Sequence, residues 1–168
     1  MGGSRDPRKG FDLLLNALGH LHSELKDLHL VVFGQHPPRQ PPDLGFPVHY
    51  TGHLHDDLSL RALYSAADAL AIPSRQDNLP NTGLESLACG TPVVAFDIGG
   101  LPDIVEHQRS GYLAKAFDTQ DLANGISWVL QNADSAKVRH QCRARAVARF
   151  SNEVVADQYR SVYEQILS

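Results

Sequence analysis

Ala67-Asp68-Ala69-Leu70-Ala71-Ile72 and, after the segment Pro73 to Gly90, Thr91-Pro92-Val93-Val94-Ala95-Phe96 are the stretches that decide the fold. Both are short, nearly uninterrupted apolar runs, the pattern of strands buried on both faces. Between them, Pro73-Ser74-Arg75-Gln76-Asp77-Asn78-Leu79-Pro80-Asn81 reads as loop and Thr82-Gly83-Leu84-Glu85-Ser86-Leu87-Ala88-Cys89-Gly90 as a short helix. A loop-to-helix junction at the carboxyl end of a buried strand is where open α/β sheets bind ligands.

Outward from this junction, helices alternate with further apolar runs. Phe11 to Leu25 spaces Phe11, Leu14, Leu15, Leu18, Leu21 and Leu25 as one helical face, and Leu28 to Phe33 is a strand-like run closed by Gly34. Gln35 to Pro47 holds five prolines and is a loop. Val48 to Tyr50 reads as a strand, Asp57 to Ala66 as a helix, Ile104-Val105 as a single helical turn and Gly111 to Leu113 as a last strand. Helices over Asp118 to Leu130, Ser135 to Phe150 and Asn152 to Leu167 complete the order. This alternation predicts an α/β, Rossmann-like three-layer sandwich with a parallel sheet. An α/β unit that opens on a helix suggests a fragment whose first strand lies elsewhere.

The 168 residues, 42% hydrophobic and 20% charged with a net charge of −4, describe one globular domain. A chain of this length buries roughly 70% of its unfolded surface. The mild negative charge gives no electrostatic footprint for nucleic acid. Cys89 and Cys142 are far apart and read as reduced packing residues, which fits a cytoplasmic setting. No apolar run reaches the roughly 20 residues of a membrane helix.

Two features carry candidate chemistry. A helix starting near Thr82 exposes unpaired N–H groups and a partial positive charge, which attract anions. Pro80, Asn81 and Gly83 keep the approach narrow and free of bulk. Thr82-Gly83-Leu84-Glu85 also matches a reciprocal helix cap, so Glu85 is open to two readings, cap or ligand contact. The second feature is Asp6-Pro7-Arg8-Lys9-Gly10, where Arg8 and Lys9 stand at the helix end whose dipole disfavours cations. Either a phosphate relieves this, with Arg5 as a further candidate, or Asp6 pairs with one of the two in a surface ion pair.

The absences narrow the ligand. The dinucleotide Gly-x-Gly-x-x-Gly and the Walker phosphate loop are both missing, and there is no Asp-x-Asp pair. Nine histidines include His49, His53 and His55, but without the spacing of a metal site. Ser86 lacks the setting of a nucleophile elbow. Arg139, Arg143, Arg145 and Arg149 form a basic helix face that fits solvent better than anionic lipid.

Seven blocks in order carry a resemblance: residues 6 to 14, 50 to 54, 63 to 69, the junction at 73 to 90, 90 to 96, 99 to 105 and 110 to 113. Together they resemble the carboxy-terminal, donor-binding half of a family-four (group 1) retaining glycosyltransferase of the GT-B type. The resemblance implies that Glu85 stands for the second glutamate of the family's Glu-x7-Glu motif, a clamp on the donor's ribose hydroxyls. Asp77 falls where the first glutamate stands, shorter by one methylene, about 1.5 Å of reach. Lys9 matches the diphosphate-binding lysine, and Arg5 lies near the place of its companion arginine. Asn78, Asn81, Thr82 and Gly83 belong to the loop whose backbone meets donor sugar and phosphates, with Leu-Pro-Asn-Thr replacing the usual Phe-Gly.

The implied co-substrate is a nucleotide-diphosphate sugar, with no metal and no other cofactor. The implied partner is an amino-terminal half that carries the acceptor site and through which the whole enzyme would associate with membranes. The implied setting is polysaccharide or glycolipid synthesis, with the nucleobase read by the main chain around Gly52 to His55. The other readings are a stand-alone nucleotide-binding or interaction module and half of a nucleotide-sugar epimerase.

Overall fold

The computed structural model describes residues 6–21, 27–132 and 135–167. The chain opens with a 3₁₀ turn over Pro7–Lys9, followed by α1 (Phe11–Leu21), β1 (Leu30–Phe33), β2 (Val48–Gly52) and α2 (Asp57–Ala66). Then come β3 (Leu70–Ile72), α3 (Asn81–Ala88), β4 (Val93–Phe96), α4 (Leu101–Ile104) and β5 (Gly111–Ala114). Three helices close it: α5 (Thr119–Asn132), α6 (Ala136–Phe150) and α7 (Asn152–Leu167).

The expected elements occur in the expected order, with differences at their bounds: the turn expected at Ile104-Val105 is Leu101–Ile104 with Val105 extended, and the strand expected from Leu28 starts at Leu30. The described part of the first helix ends at Leu21, and its expected continuation through Leu25 lies outside the described residues. The strand expected from Ala67 starts only at Leu70, because the Ala67 N–H caps α2 by donating to Leu63 O and Tyr64 O, both at 3.2 Å.

Among the described residues the pairings between these strands are parallel, as predicted, with one isolated antiparallel bridge between Gln35 and Gly52, and they form two hydrogen-bonded groups, β1-β2 and β3-β4-β5. β4 shows why its sequence is apolar throughout. Val93 and Ala95 face one core, Val94 and Phe96 the other, and all four are fully buried. The first core packs the strands on α3, α4 and α6 through Leu87, Ile104 and Cys142. The second packs them on α1 and α5 through Leu14, Leu18, Leu122 and Ile126. The result is a helix–sheet–helix arrangement.

The basic face of α6 is divided: Arg143 and Arg149 are exposed to solvent as expected, while Arg145 is largely covered and Arg139 partly so. The Arg145 guanidinium donates to Ile104 O (2.5 Å) and Asp103 O (2.8 Å), and Arg143 donates to Ala88 O (2.6 Å). These side chains satisfy the open carbonyls at the carboxyl ends of α4 and α3. Burial lowers the Arg145 pKa below its ordinary value, and these carbonyls compensate the buried charge. Among the described residues no helix is long and apolar enough to cross a membrane.

Candidate functional site

The junction is built from the carboxyl end of β3. Pro73 and Ser74 follow Ile72 into the interior, the chain then turns outward, and α3 starts at Asn81. The reciprocal cap is not formed: Pro80 holds the cap position and no side chain bonds the first turn. Glu85 instead accepts a 2.9 Å hydrogen bond at Oε2 from the Tyr64 hydroxyl. Tyr64 is 2% exposed, while Glu85 remains exposed, so one carboxylate oxygen is fixed from below and the group still faces solvent. Burial first, and the Glu85 bond second, push the Tyr64 phenol well above its ordinary pKa. It is therefore a hydrogen-bond donor at neutral pH.

The loop is braced from behind by Gly99 and Gly100. A Cβ on Gly100 would stand 1.6 Å from Asn78 O, and one on Gly99 2.0 Å from Asp77 O. Only glycine permits that approach.

The segment Asp6–Gly10 is fastened to the same rim. The Arg75 N–H donates to Arg8 O at 2.7 Å, and the Arg75 guanidinium donates to Pro7 O and, bidentately, to Asp12. Lys9 is thereby delivered to Asp77, Nζ to Oδ2 2.9 Å, with Ser74 Oγ donating to the same oxygen at 3.3 Å. Lys9, Asp77 and Thr82 line one small cavity of about 20 Å³ with Ser74 and Pro73. Glu85 stands three residues beyond Thr82, on the same helical face. Lys9 thus shares a cavity with the first turn of α3, and Glu85, outside that lining, follows one turn along the helix.

The other expected residues divide. Asn78 and Asn81 are exposed at the rim and Thr82 is half-buried. Gly83 is buried, its N–H donates to Pro80 O, and a Cβ there would meet the Ile72 and Ile104 side chains at 3.2 and 3.4 Å. Its smallness serves helix-to-sheet packing, which corrects the expectation that it opens the way for a ligand. Arg8 is held by Asp6 through Nε and Nη2, at 3.0 and 2.8 Å, so the ion-pair reading holds for Arg8 and the phosphate reading is left to Lys9. Arg5 lies outside the described residues.

The three histidines noted in the sequence separate. His49 bonds His29 across β1 and β2 at 3.0 Å, whereas His53 neighbours His55 and His36, with ring centroids 6.1 Å apart in each case. Among the described residues no group of three His, Cys, Asp or Glu side chains is arranged to hold a metal ion.

Sequence reasoning missed Tyr64 and Arg75 as site residues. A buried tyrosine signals that its hydroxyl needs a partner, but the partner lies 21 positions away and nothing local names it.

A model of the family described as "Glycosyl transferases group 1" matches residues 1–132. The chain belongs to that family. A D-inositol 3-phosphate glycosyltransferase of Jonesia denitrificans is 33% identical over 177 aligned positions, covering 97% of this chain and 42% of the relative. The namesake enzyme of Mycolicibacterium smegmatis is 38% identical over 106 positions, 63% of this chain and 24% of its own. Sucrose-phosphate synthase from Thermosynechococcus elongatus superposes with a TM-score of 0.77 at 30% identity, over 96% of this chain and 43% of that one. Anabaena HepE in complex with UDP gives 0.75 at 23% identity, over 98% and 47%, a likeness of fold. The chain spans less than half the length of these relatives, and its fold is the Rossmann-like unit of GT-B glycosyltransferases.

Proposed function

We propose that this chain binds a nucleoside-diphosphate sugar along the Lys9–Asp77–Thr82–Glu85 rim and serves as the donor half of a retaining glycosyltransferase. The observation that carries this reading is the Lys9–Asp77 pair set over the first turn of α3, with Glu85 held one turn further on by Tyr64. An ammonium has three donors and Asp77 takes one, which leaves two for a diphosphate oxygen. The amides of Asn81 and Thr82 at the start of α3 add donors and a favourable dipole for the same anion. Glu85 accepts from ribose hydroxyls through its free lone pairs.

In the transfer, the bond from the anomeric carbon to the diphosphate oxygen breaks, and the acceptor oxygen forms the new bond on the same face. The acceptor's proton leaves on the departing diphosphate. Negative charge grows on that leaving group, and removal of a single such donor costs about 2.7–4 kcal/mol in a closed site. Asp77 holds sugar hydroxyls and faces the positive charge developing at the anomeric carbon. The acceptor is bound by a second, amino-terminal half, so the chain by itself binds donor weakly and transfers nothing. Polysaccharide or glycolipid synthesis is the setting that goes with this reading.

Calorimetric titration with UDP, GDP and their glucose and mannose esters tests it. Lys9→Ala weakens nucleotide binding, since it removes a donor and leaves Asp77 as an uncompensated anion beside the diphosphate. The double variant Lys9→Ala/Asp77→Ala recovers part of the loss. Binding of UDP and GDP that is indifferent to both changes refutes the proposal.

A further inference from the structure

Lys9 sits in a turn that cannot hold itself. The 3₁₀ segment Pro7–Lys9 has no buried residue, and its own main-chain bonds are Lys9 N–H to Asp6 O at 3.0 Å and Gly10 N–H to Pro7 O at 3.3 Å. A turn this short is unstable alone, because the dihedrals it fixes are repaid by too few bonds. The lysine ammonium also rides on a flexible stem. The place of Nζ beside Asp77 is therefore imposed from outside the turn.

Arg75 supplies that restraint. Its N–H donates to Arg8 O at 2.7 Å, Nη1 donates to Pro7 O at 3.0 Å, and Nη1 and Nη2 donate to the two carboxylate oxygens of Asp12 at 2.7 and 2.6 Å. Pro7 precedes Lys9 and Asp12 follows it in the first turn of α1, so one planar guanidinium grips the chain on both sides of the lysine. The loop that carries Arg75 also carries the ammonium's partner: Ser74 and Lys9 both donate to Asp77 Oδ2, at 3.3 and 2.9 Å. Lys9 and Asp77 line the small cavity with Thr82, whereas Arg75 and Asp12 are not among its walls. The Arg75 side chain is 37% and the Asp12 side chain 63% exposed. An ion pair this open to solvent adds little to stability, so its effect on the place of the turn is separable from its effect on the fold.

We infer that Arg75 is a positioning residue: without touching a ligand it sets the Lys9 ammonium in place before a diphosphate arrives, and donor affinity depends on that preorganisation. This inference rests on the reading of the rim as a sugar-nucleotide site. Asp12 is the fixed point of the grip, since α1 is anchored in the core through Leu14 and Leu18.

Arg75→Met tests it, because methionine keeps an apolar stem and removes the guanidinium bonds. In the variant without nucleotide, amide exchange at Lys9 and Gly10 quickens severalfold, as loosening of a local unit does; unchanged exchange overturns the inference. In calorimetric titration UDP binds about tenfold more weakly, the lower end of what losing the groups that orient a metal ligand costs, while the urea midpoint hardly moves. Arg75→Lys keeps the charge without the fork and recovers part of the loss. On a Lys9→Ala background Arg75→Met lowers UDP affinity no further, because it acts through Lys9. Losses that add on that background overturn the inference, since the arginine then meets the diphosphate itself or acts by its charge alone. If Lys9→Ala weakens UDP binding and Arg75→Met does not, the inference fails and the sugar-nucleotide reading stands. Lys9→Ala without effect on UDP refutes that reading and the inference with it. Should Arg75→Met fail to fold, Asp12→Asn releases one side of the grip: about threefold weaker UDP binding supports the inference, and unchanged affinity overturns it.

Discussion

Tyr64→Phe isolates the hydrogen bond that fixes Glu85. The substitution keeps the ring, its edge-on contact with Phe33 at 5.8 Å between centroids and the shape of the core, and removes only the hydroxyl. A hydrogen bond to a charged group contributes about 1.5–3 kcal/mol. Glu85 is exposed, so water replaces the lost donor, and the stability loss falls to the ordinary ~0.5–1.5 kcal/mol. Loss of orientation acts on the ligand: about 1 kcal/mol of added freedom in the carboxylate weakens nucleotide binding roughly fivefold.

Glu85→Gln gives the complementary result. The glutamine carbonyl still accepts from Tyr64, so stability hardly moves, while replacing charge-assisted bonds to ribose by neutral ones weakens binding about tenfold or more. Calorimetric titration with UDP and GDP, beside urea unfolding of each variant, separates the two effects. Should Tyr64→Phe lose stability and leave nucleotide affinity untouched, Glu85 is not a ribose contact positioned by Tyr64, and the geometry of the rim has been misread.

The remaining predictions concern the parts that hold the rim. Gly10→Ala places a Cβ 1.9 Å from Pro73 O at a φ of +61°, which costs at least ~1–3 kcal/mol and shows as a lowered Tm together with weakened nucleotide binding. Burial raises the Cys142 thiol to about 12, so iodoacetamide at pH 8 modifies the half-buried Cys89 first and reaches Cys142 only in denaturant. Equal labelling rates in the folded chain would contradict this. The Asp12 carboxyl is held below its ordinary pKa by its hydrogen bonds to Arg75. Its contribution is complete above the unfolded value of about 3.9 and is lost as pH falls through the lower folded value. Asp12 is 63% exposed, so Asp12→Asn costs no more than ~1 kcal/mol at pH 7, and urea midpoints of variant and parent converge at the acid end.

Elements were legible where the determinants are local. α2 runs from Asp57 to Ala66 as its spacing predicts, because Asp56 caps it by accepting from the Ser59 N–H and its apolar side chains recur at helical intervals. The apolar run of β4 is buried on both faces for the reason its composition implied. The site was legible in its residues and less so in their roles. Arg8 and Lys9 are adjacent cations in sequence, and only the fold shows Asp6 taking the first and Asp77, 68 positions on, taking the second. Arg143 and Arg149 of α6 are solvated as their pattern implied, but the carbonyls that Arg143 and the covered Arg145 meet lie 55 and 41 positions away, beyond any local signal. Thr82 and Glu85 fit a helix cap by local pattern, and a tyrosine from another helix decided against it.

The charges of the rim bear on which part of a ligand supplies affinity. Lys9 and the amino end of α3 are positive, Asp77 and Glu85 negative, so the four features nearly cancel. The Lys9 side chain is 34% and the Asp77 side chain 14% exposed, which keeps their attraction from full screening by solvent. A bare diphosphate therefore meets an ammonium already engaged and a carboxylate that repels it. Under the proposed function, a sugar attached to that diphosphate would change the balance, because its hydroxyls would donate to Asp77 while the ammonium's two remaining donors meet phosphate. A ribose hydroxyl pair would do the same at Glu85. On this reasoning the rim selects a ligand that carries donors at both ends and negative charge between them. That is the chemical pattern of a sugar nucleotide, and neither inorganic phosphate nor a free sugar has it.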